Sequence, residues 1–491
     1  MGFINSYRFK PSSSCPSYNP GLYTAEEIDT FVFVDGFIPV ANISEFKLIG
    51  TAGSRTMGAG TCWAGTYTTG LEKKYIQVQN VNAVAEVGWT PVPIGDATPT
   101  MIYDGNNLLL QNLTATQGWL VAQRGIIRNC KVSNTVISGG VGNDGILIDT
   151  NSSGALVVDS CEVLANCSIS TAGSGSTGVG GICGTSNTAS TIQNCINRAN
   201  VTTTASVSGG ICGLGSPTIT NCINYGNVTG TQFVAGILGQ HTTGTLTTCQ
   251  NYGIITGNNL FVGGITSRSD GSAIIQDCIN GGNIVTSTTR VGGITGGLLG
   301  GAAIVRRCKT IDCTISSSAN STQGWIGGIC GYVVNGTGVR PLIEECYVQN
   351  TGITAALCDE VGGICGTNFN TYLTIRNCRV DEATVIAARS RVGGIMGFND
   401  SGLSVFQYSY SAAQVTGTTS VGGVVGGSTA GTYTDIYWDI TVGPPVSAAG
   451  TSQTTVALQT PTSNTGIYSA WSLSFWNFGT TTEYPRLINV P

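Results

Sequence analysis

Ser208-Gly-Gly-Ile-Cys-Gly213, followed shortly by Ile219-Thr-Asn-Cys-Ile-Asn-Tyr-Gly-Asn-Val228, is the stretch that decides the fold. Both halves recur along the chain. The first returns as Val179-Gly-Gly-Ile-Cys-Gly184, Val262-Gly-Gly-Ile-Thr266, Val291-Gly-Gly-Ile-Thr-Gly296 and Ile326-Gly-Gly-Ile-Cys-Gly331. It continues as Val361-Gly-Gly-Ile-Cys-Gly366, Val392-Gly-Gly-Ile-Met-Gly397 and Val421-Gly-Gly-Val-Val-Gly426, with Val234-Ala-Gly-Ile-Leu-Gly239 a degenerate copy. The second half returns as Ile192-Gln-Asn-Cys-Ile-Asn197 and Ile275-Gln-Asp-Cys-Ile-Asn280. Weaker copies centre on Cys130, Cys161, Cys249, Cys308, Cys346 and Cys378, and Ser409 takes the same place in the last one.

Successive copies lie about 26 to 38 residues apart, too short for a unit to bury its own core, so each must stack on its neighbours. The unit holds two or three short strands and no ten-residue amphipathic stretch, which excludes helical and leucine-rich repeats. A propeller blade would need four strands. The expected fold is therefore all-β: a right-handed, single-stranded parallel β-helix of about ten imperfect repeats.

Each repeated column has a mechanical reason. Ile182, Ile211, Ile294, Ile329, Ile364 and Ile395 would stack inside the cylinder, about 4.8 Å apart. The paired glycines mark a bend where one coil passes close to the next. Asn194, Asn221 and Asn377 are expected to form amide ladders at another corner. Cys195, Cys222, Cys278, Cys308, Cys346 and Cys378 are expected to point inward as small hydrophobes. Stacked side chains in adjacent coils keep their Cβ atoms nearly a strand spacing apart, whereas a disulfide needs about 3.5–4.5 Å. Most of the 18 cysteines are therefore expected to be free and buried, which suits a chain folded in a reducing compartment.

Composition agrees. Gly is 71 of 491 and charged residues only 10%, while 41% apolar residues and a net charge of -5 exclude disorder. There is no collagen triplet, no apolar run long enough to span a membrane and no basic cluster for nucleic acid. Met1–Pro20 carries Arg8 and Lys10 with no apolar segment behind them and does not read as a secretory signal. Residues 1–30 match no repeat and read as an arm or anchor, and 31–107, with Tyr75-Ile-Gln-Val-Gln79, as an N-terminal cap and lead-in. Residues 108–430 read as the β-helix. Residues 431–491, with Tyr437, Trp438, Tyr468, Trp471, Phe475, Trp476, Phe478 and Tyr484, read as a cap folded over the last coil.

The Val-Gly-Gly-Ile-Cys-Gly strands and the turn Asn221-Cys-Ile-Asn-Tyr-Gly-Asn-Val228 resemble the GLUG motif of bacterial surface, adhesin-like and phage proteins. Gly88-Trp-Thr-Pro-Val-Pro-Ile-Gly95 with Tyr103-Asp-Gly-Asn106 looks like the lead-in that accompanies such repeats. Tyr437-Trp-Asp439, Trp471 and Tyr484-Pro485 look like the closing segment. The resemblance covers residues 40 to 490 and implies the solenoid more strongly than any activity.

Parallel β-helices also host carbohydrate-degrading enzymes, which need two facing carboxyl groups. The adjacent acids Glu344/Glu345, Asp359/Glu360 and Asp381/Glu382 point to opposite faces of a strand, and solvated carboxylates are the expected reading. Glu344 and Asp381 are the two that could meet across coils. His241, the single histidine, falls in the Gly/Thr-rich segment Gln240-His-Thr-Thr-Gly244 with no acid or thiol beside it. Cys161/Cys167 and Cys308/Cys313 read as core positions. Arg306/Arg307 and Arg389/Arg391 read as basic spots for solubility and edge protection, and the sequons at Asn112, Asn227, Asn320 and Asn335 are given no role. No catalytic, cofactor-binding or metal site is expected.

The function these readings favour is a structural or attachment protein, not an enzyme, on the exterior of a virus particle: a fibre, spike or decoration protein. The alternatives are a bacterial cell-surface adhesin and a carbohydrate-degrading enzyme. Expected partners are other virion or surface proteins, held through the N-terminal arm, and a host-surface glycan or protein receptor. Homo-oligomers are compatible with this. The loops between the Gly-Gly-Ile and Asn-Cys strands, longest between Cys330 and Cys346, are the expected recognition face.

Overall fold

One coil shows how the repeat makes the architecture. Thr191–Gln193 and Ile196–Asn197 flank a corner at Asn194–Cys195; Asn200–Thr203 and Val207–Gly209 form a second face; Cys212–Gly215 forms a third. Every strand pairs in parallel with its equivalent one coil away, so Ile192 stacks on Ile219, Leu246 and Ile275 in turn. The third face alone stacks twelve strands. The computed structural model is thus a parallel β-solenoid of about twelve turns. It describes residues 21–490 apart from 71, 96–100, 123, 151–153, 173–176, 205–206, 335–339, 370, 382–383 and 429. Residues 1–20 of the expected arm, Glu382 and Asn335 lie outside the described residues.

The predicted columns lie where expected. The isoleucines at 182, 211, 294, 329, 364 and 395 are fully buried, and the N–H of Ile182 donates to the carbonyl of Ile211 at 3.1 Å, a pattern that continues up the stack. The cysteines at 195, 222, 278, 308, 346 and 378 are equally buried, and sixteen described cysteines are free thiols. Cys62, in the N-terminal region, is disulfide-bonded and stands apart from them. The column thiols are more than small hydrophobes. Cys195 Sγ donates to the Gln193 carbonyl at 3.1 Å and Cys278 Sγ to that of Gln276 at 3.1 Å. Ser409 substitutes here as its position suggests, with Oγ donating to Gln407 at 2.8 Å and accepting the Cys378 N–H at 2.9 Å.

The residue before each of these cysteines turns the corner in the left-handed conformation: φ is 54° at Asn194, 53° at Asn221, 56° at Asp277 and 53° at Glu345. Asn and Asp tolerate this region best, which explains their frequency there. Asn221 Nδ2 donates to Asn194 Oδ1 at 2.8 Å, as the corner ladder predicts. Asn377 does not join it; its Oδ1 accepts instead from Trp476 Nε1 at 3.1 Å.

A second ladder lies inside the cylinder. Asn197, Asn224, Asn251 and Asn280 share one inward column, each amide donating to the next at 2.8–2.9 Å. Each also donates to a carbonyl two residues on, Asn224 to Gly226 at 2.8 Å. Every buried amide is thus satisfied along the stack. The second glycine of the Gly-Gly pair exists because of this ladder: a Cβ at Gly210 would lie 2.3 Å from the Asn224 amide carbon. The first has a different reason. A Cβ at Gly209 would lie 2.0 Å from the Cys212 carbonyl oxygen, inside the bend itself.

The parallel ladder reaches back into the segment expected as N-terminal cap, since Phe37–Val40, Lys74–Gln77 and Ile102–Asp104 pair in sequence. A helix, Ala25–Phe33, lies on the outer side of these first strands, where the sequence suggested only an arm, and Phe46, Ile49 and Met57 join the inner core at that end, with Phe46 against Tyr103 and Trp119. Thr24 and Glu27 close a capping box, and Ile28 and Val32 pack on Phe37, Trp63 and Ile76. At the other end the aromatics divide. Trp438 continues the inward column beyond Ser411 and helps close the core, with Thr451–Gln453 paired across 437–439. Tyr468, Trp471, Trp476, Phe478 and Tyr484 instead wrap back over the outer side of Tyr410 and Tyr437 and form a cluster of their own. This corrects the expectation that the whole group lies over the last coil: Tyr410 and Tyr437 sit in an outward column that needs covering.

Candidate ligand-binding seam

The bend made by Gly-Gly-Ile folds the second face toward the third, so the outward side chains on either side of it meet along a seam parallel to the axis. One bank runs Val207, Phe233, Phe261, Arg290, Trp325; the other runs Leu214, Gln240, Arg268, Gly297, Tyr332. Across the seam Trp325 stacks on Tyr332 with ring centroids 4.2 Å apart, and Arg268 lies 5.8 Å from the Phe233 ring. Along one bank Phe233 stacks on Phe261 at 5.9 Å, and the Arg290 guanidinium sits 5.1 Å from Phe261 and 4.8 Å from Trp325. Burial among these rings pushes Arg290 below the usual arginine range, the cost of desolvating a cation against π-faces.

A cavity lies at each end of this filled stretch. The C-terminal one, about 250 Å³, is lined by Trp325, Glu360, Thr367, Arg391, Phe398 and Asp400 among others. The acids here are not the solvated carboxylates that sequence spacing suggested. Asp359 and Glu360 are buried and ion-paired, Arg389 Nε to Asp359 Oδ1 and Arg391 to Glu360 Oε1, each at 2.6 Å. Burial pushes Glu360 up, and Arg391 pulls it back only in part. Three arginines of the two "basic spots" are therefore counter-charges: Arg307 likewise pairs with Asp277 at 2.6 Å, while Arg306 donates to the Gln276 amide oxygen. Glu344 and Asp381 do not meet either. Glu344 accepts from Arg376 at 2.7 Å, while Asp381 accepts from the Asn350 N–H and the Thr384 hydroxyl.

The N-terminal cavity is larger, about 470 Å³, and lined by Thr116, Gln117, Asn143, Asp144, Asp149 and Thr150 among others. Sequence reasoning missed its two acids. Register exposes them: Asp144 pairs with Val179, and Asp149, between Ile148 and Thr150, stands where the next coil has Gly184. An acid in an inward valine position and another in a glycine position, both in one coil, is the signal that was there to find. Both carboxyls are buried at 3% exposure. Asp149 Oδ1 accepts from the N–H groups of Gly118 at 2.8 Å and Gly145 at 3.2 Å. Oδ2 of each aspartate has no hydrogen-bond partner, and neither forms an ion pair among the described residues. Burial, which outweighs the two N–H donors, pushes Asp149 up to about 7, and it raises Asp144 as well.

His241 proves not to be in a loop. It ends the strand Leu238–His241, fully buried between Gly215 and Ser269. Neither ring nitrogen has a partner of good geometry, and burial holds it down to about 4, the backbone at Thr243 and Gly244 offsetting this only in part. It is a neutral core residue. The expected recognition loops, after the third face, have their longest member largely outside the described residues at 335–339, and the two cavities of the seam lie at the corner before that face.

On the outer corner between the first and second faces runs an exposed strip. Tyr225 and Tyr252 stack at 5.5 Å, Arg198 lies 4.6 Å over Tyr225, and Ile254, two residues after Tyr252, and Val285, in the next coil, are exposed as well.

No family model matches the chain, and no curated protein does. Among solved structures, it is similar to a Bacteroides ovatus protein named "putative immunoglobulin A1 protease", at 14% identity over 92% of this chain and 93% of that one, with a TM-score of 0.29. So loose a likeness carries no activity to this chain.

Proposed function

We propose that the protein is a non-catalytic structural and attachment rod on the exterior of a virus particle, as a fibre, spike or decoration protein. The observation that carries the attachment role is the exposed Tyr225–Tyr252 strip, with Arg198, Ile254 and Val285, on a lateral face otherwise rich in Thr, Ser and Asn. Stacked tyrosines fixed by a β-ladder offer apolar area and hydroxyls at little entropic cost, which suits a glycan or protein receptor. Support for a display rod comes from the filled interior, the covered ends and the resemblance of the repeat to the GLUG motif. Sixteen free, buried thiols suit folding in a reducing compartment before display.

The test has two steps. Fractionation of the native source comes first: recovery on purified particles supports the virion reading, and recovery in a cell envelope replaces it with a bacterial adhesin, which the same strip would serve. Attachment to host cells is then compared for the wild type and the Tyr225→Ala/Tyr252→Ala double variant. A fall of about tenfold, the loss of ~1.4 kcal/mol of contact, with unchanged melting is expected. Undiminished attachment would remove the strip from the function.

A further inference from the structure

We propose that the cavity at the N-terminal end of the seam is a binding site for one hard divalent cation, calcium by its oxygen-only chemistry, held by Asp144 and Asp149. The two carboxyls are more than nine-tenths buried, yet each keeps one oxygen without a partner in a cavity that solvent can enter. Buried carboxylates are ordinarily paired, hydrogen-bonded or metal-bound, because an isolated buried charge costs several kcal/mol. Among the described residues no Lys or Arg lines this cavity, so the missing counter-charge must come from outside the chain or the pair must hold a proton.

The surroundings favour a cation. A Cβ placed at Gly140 would lie 2.4 Å from Asp144 Oδ2 and 2.6 Å from the Thr116 carbonyl oxygen, so these two oxygens are neighbours. At Gly118 the same construction falls 2.1 Å from the Gly145 carbonyl oxygen and 2.9 Å from Asp149 Oδ1. Gln117 and Thr150 add an amide and a hydroxyl oxygen to the lining. Calcium takes six to eight oxygens in loose geometry, carboxylates and carbonyls first and water for the remainder. No sulfur or imidazole lines the cavity, which disfavours zinc and copper. The anchoring also fits: two backbone N–H groups hold Asp149 by Oδ1 and leave Oδ2 buried without a partner on a residue that lines the cavity.

The full chain, stripped with a chelator, is titrated with calcium by calorimetry and with terbium by luminescence sensitised through Trp119, which follows Gly118. One site per chain is expected, with terbium displaced by calcium far better than by magnesium. Affinity should fall by about tenfold or more in Asp149→Asn and in Asp144→Asn, since each removes a ligand charge. Asp149→Asn keeps an oxygen for the Gly118 and Gly145 donors, so its fold should survive, as far-UV circular dichroism and melting would verify. No heat and no sensitised emission at millimolar metal would overturn the site. So would equal affinity in wild type and both variants, and equal competition by magnesium would overturn its assignment to calcium.

Discussion

The two ends of the seam hold the same kind of residue in opposite states. At the C-terminal end Asp359 and Glu360 are buried and answered by Arg389 and Arg391 from the next coil. At the N-terminal end Asp144 and Asp149 are buried at least as deeply and answered by no cationic side chain among the described residues. Stacking explains both. A side chain in a solenoid meets chiefly the residues one coil above and below, so its charge is balanced or left open by a substitution in a neighbouring coil. A balanced pair reads as structure, and an open one as a place where something binds.

The strongest way to break this contrast is to turn the balanced end into the open one. Arg391→Met removes the partner of Glu360, an arginine whose guanidinium carbon lies 4.8 Å from the Phe398 ring, and keeps most of the apolar stem. We expect a loss of about 3 kcal/mol in the free energy of denaturant unfolding, the cost of a buried charge left alone. A loss below ~0.5 kcal/mol would show that solvent already reaches Glu360.

The reverse change at the open end is opposite in sign. Without divalent cations, Asp149→Asn should stabilise the protein at pH 8, by up to about 4 kcal/mol if the whole shift is realised. Its folded pKa of about 7 lies above the ordinary aspartate value of 3.8. The native state therefore binds the extra proton between those values, and wild-type stability falls as pH rises from about 4 to about 7. The variant should lack that slope, so the two denaturation midpoints should converge toward pH 4. Parallel profiles would mean that Asp149 is ionised without penalty.

The mildest perturbation is Asp359→Asn. Arg389, left behind, is about a third exposed and can turn to water, and Arg391 keeps Glu360. A loss of about 1 kcal/mol or less is expected from the melting shift. A loss as large as that of Arg391→Met would mean that the four charges act as one network.

Much of the architecture was legible before any coordinate. Repetition marked the isoleucine and cysteine columns because an inward position repeats its chemistry in every coil, and Ser409 was recognisable as a cysteine substitute for the same reason. The inner ladder of Asn197, Asn224, Asn251 and Asn280 was in plain view in the Asn-x-Gly turns, but alternation does not say that a polar residue points inward. Asp144 and Asp149 were overlooked because their coil lacks the Gly-Gly-Ile signature that sets the register. The surface reading of the acid pairs failed differently: composition reports a charge, and only the neighbouring coil reports its partner.

The sequence by itself thus determined the solenoid, its repeat and the residues of its core, because period and burial are properties of one strand repeated many times. Tertiary structure alone decided which acids were paired, which aromatic residues closed an end and which covered a side, and where the seam opened into cavities. Those depend on contacts between residues about thirty positions apart, in coils whose relative register varies with every loop.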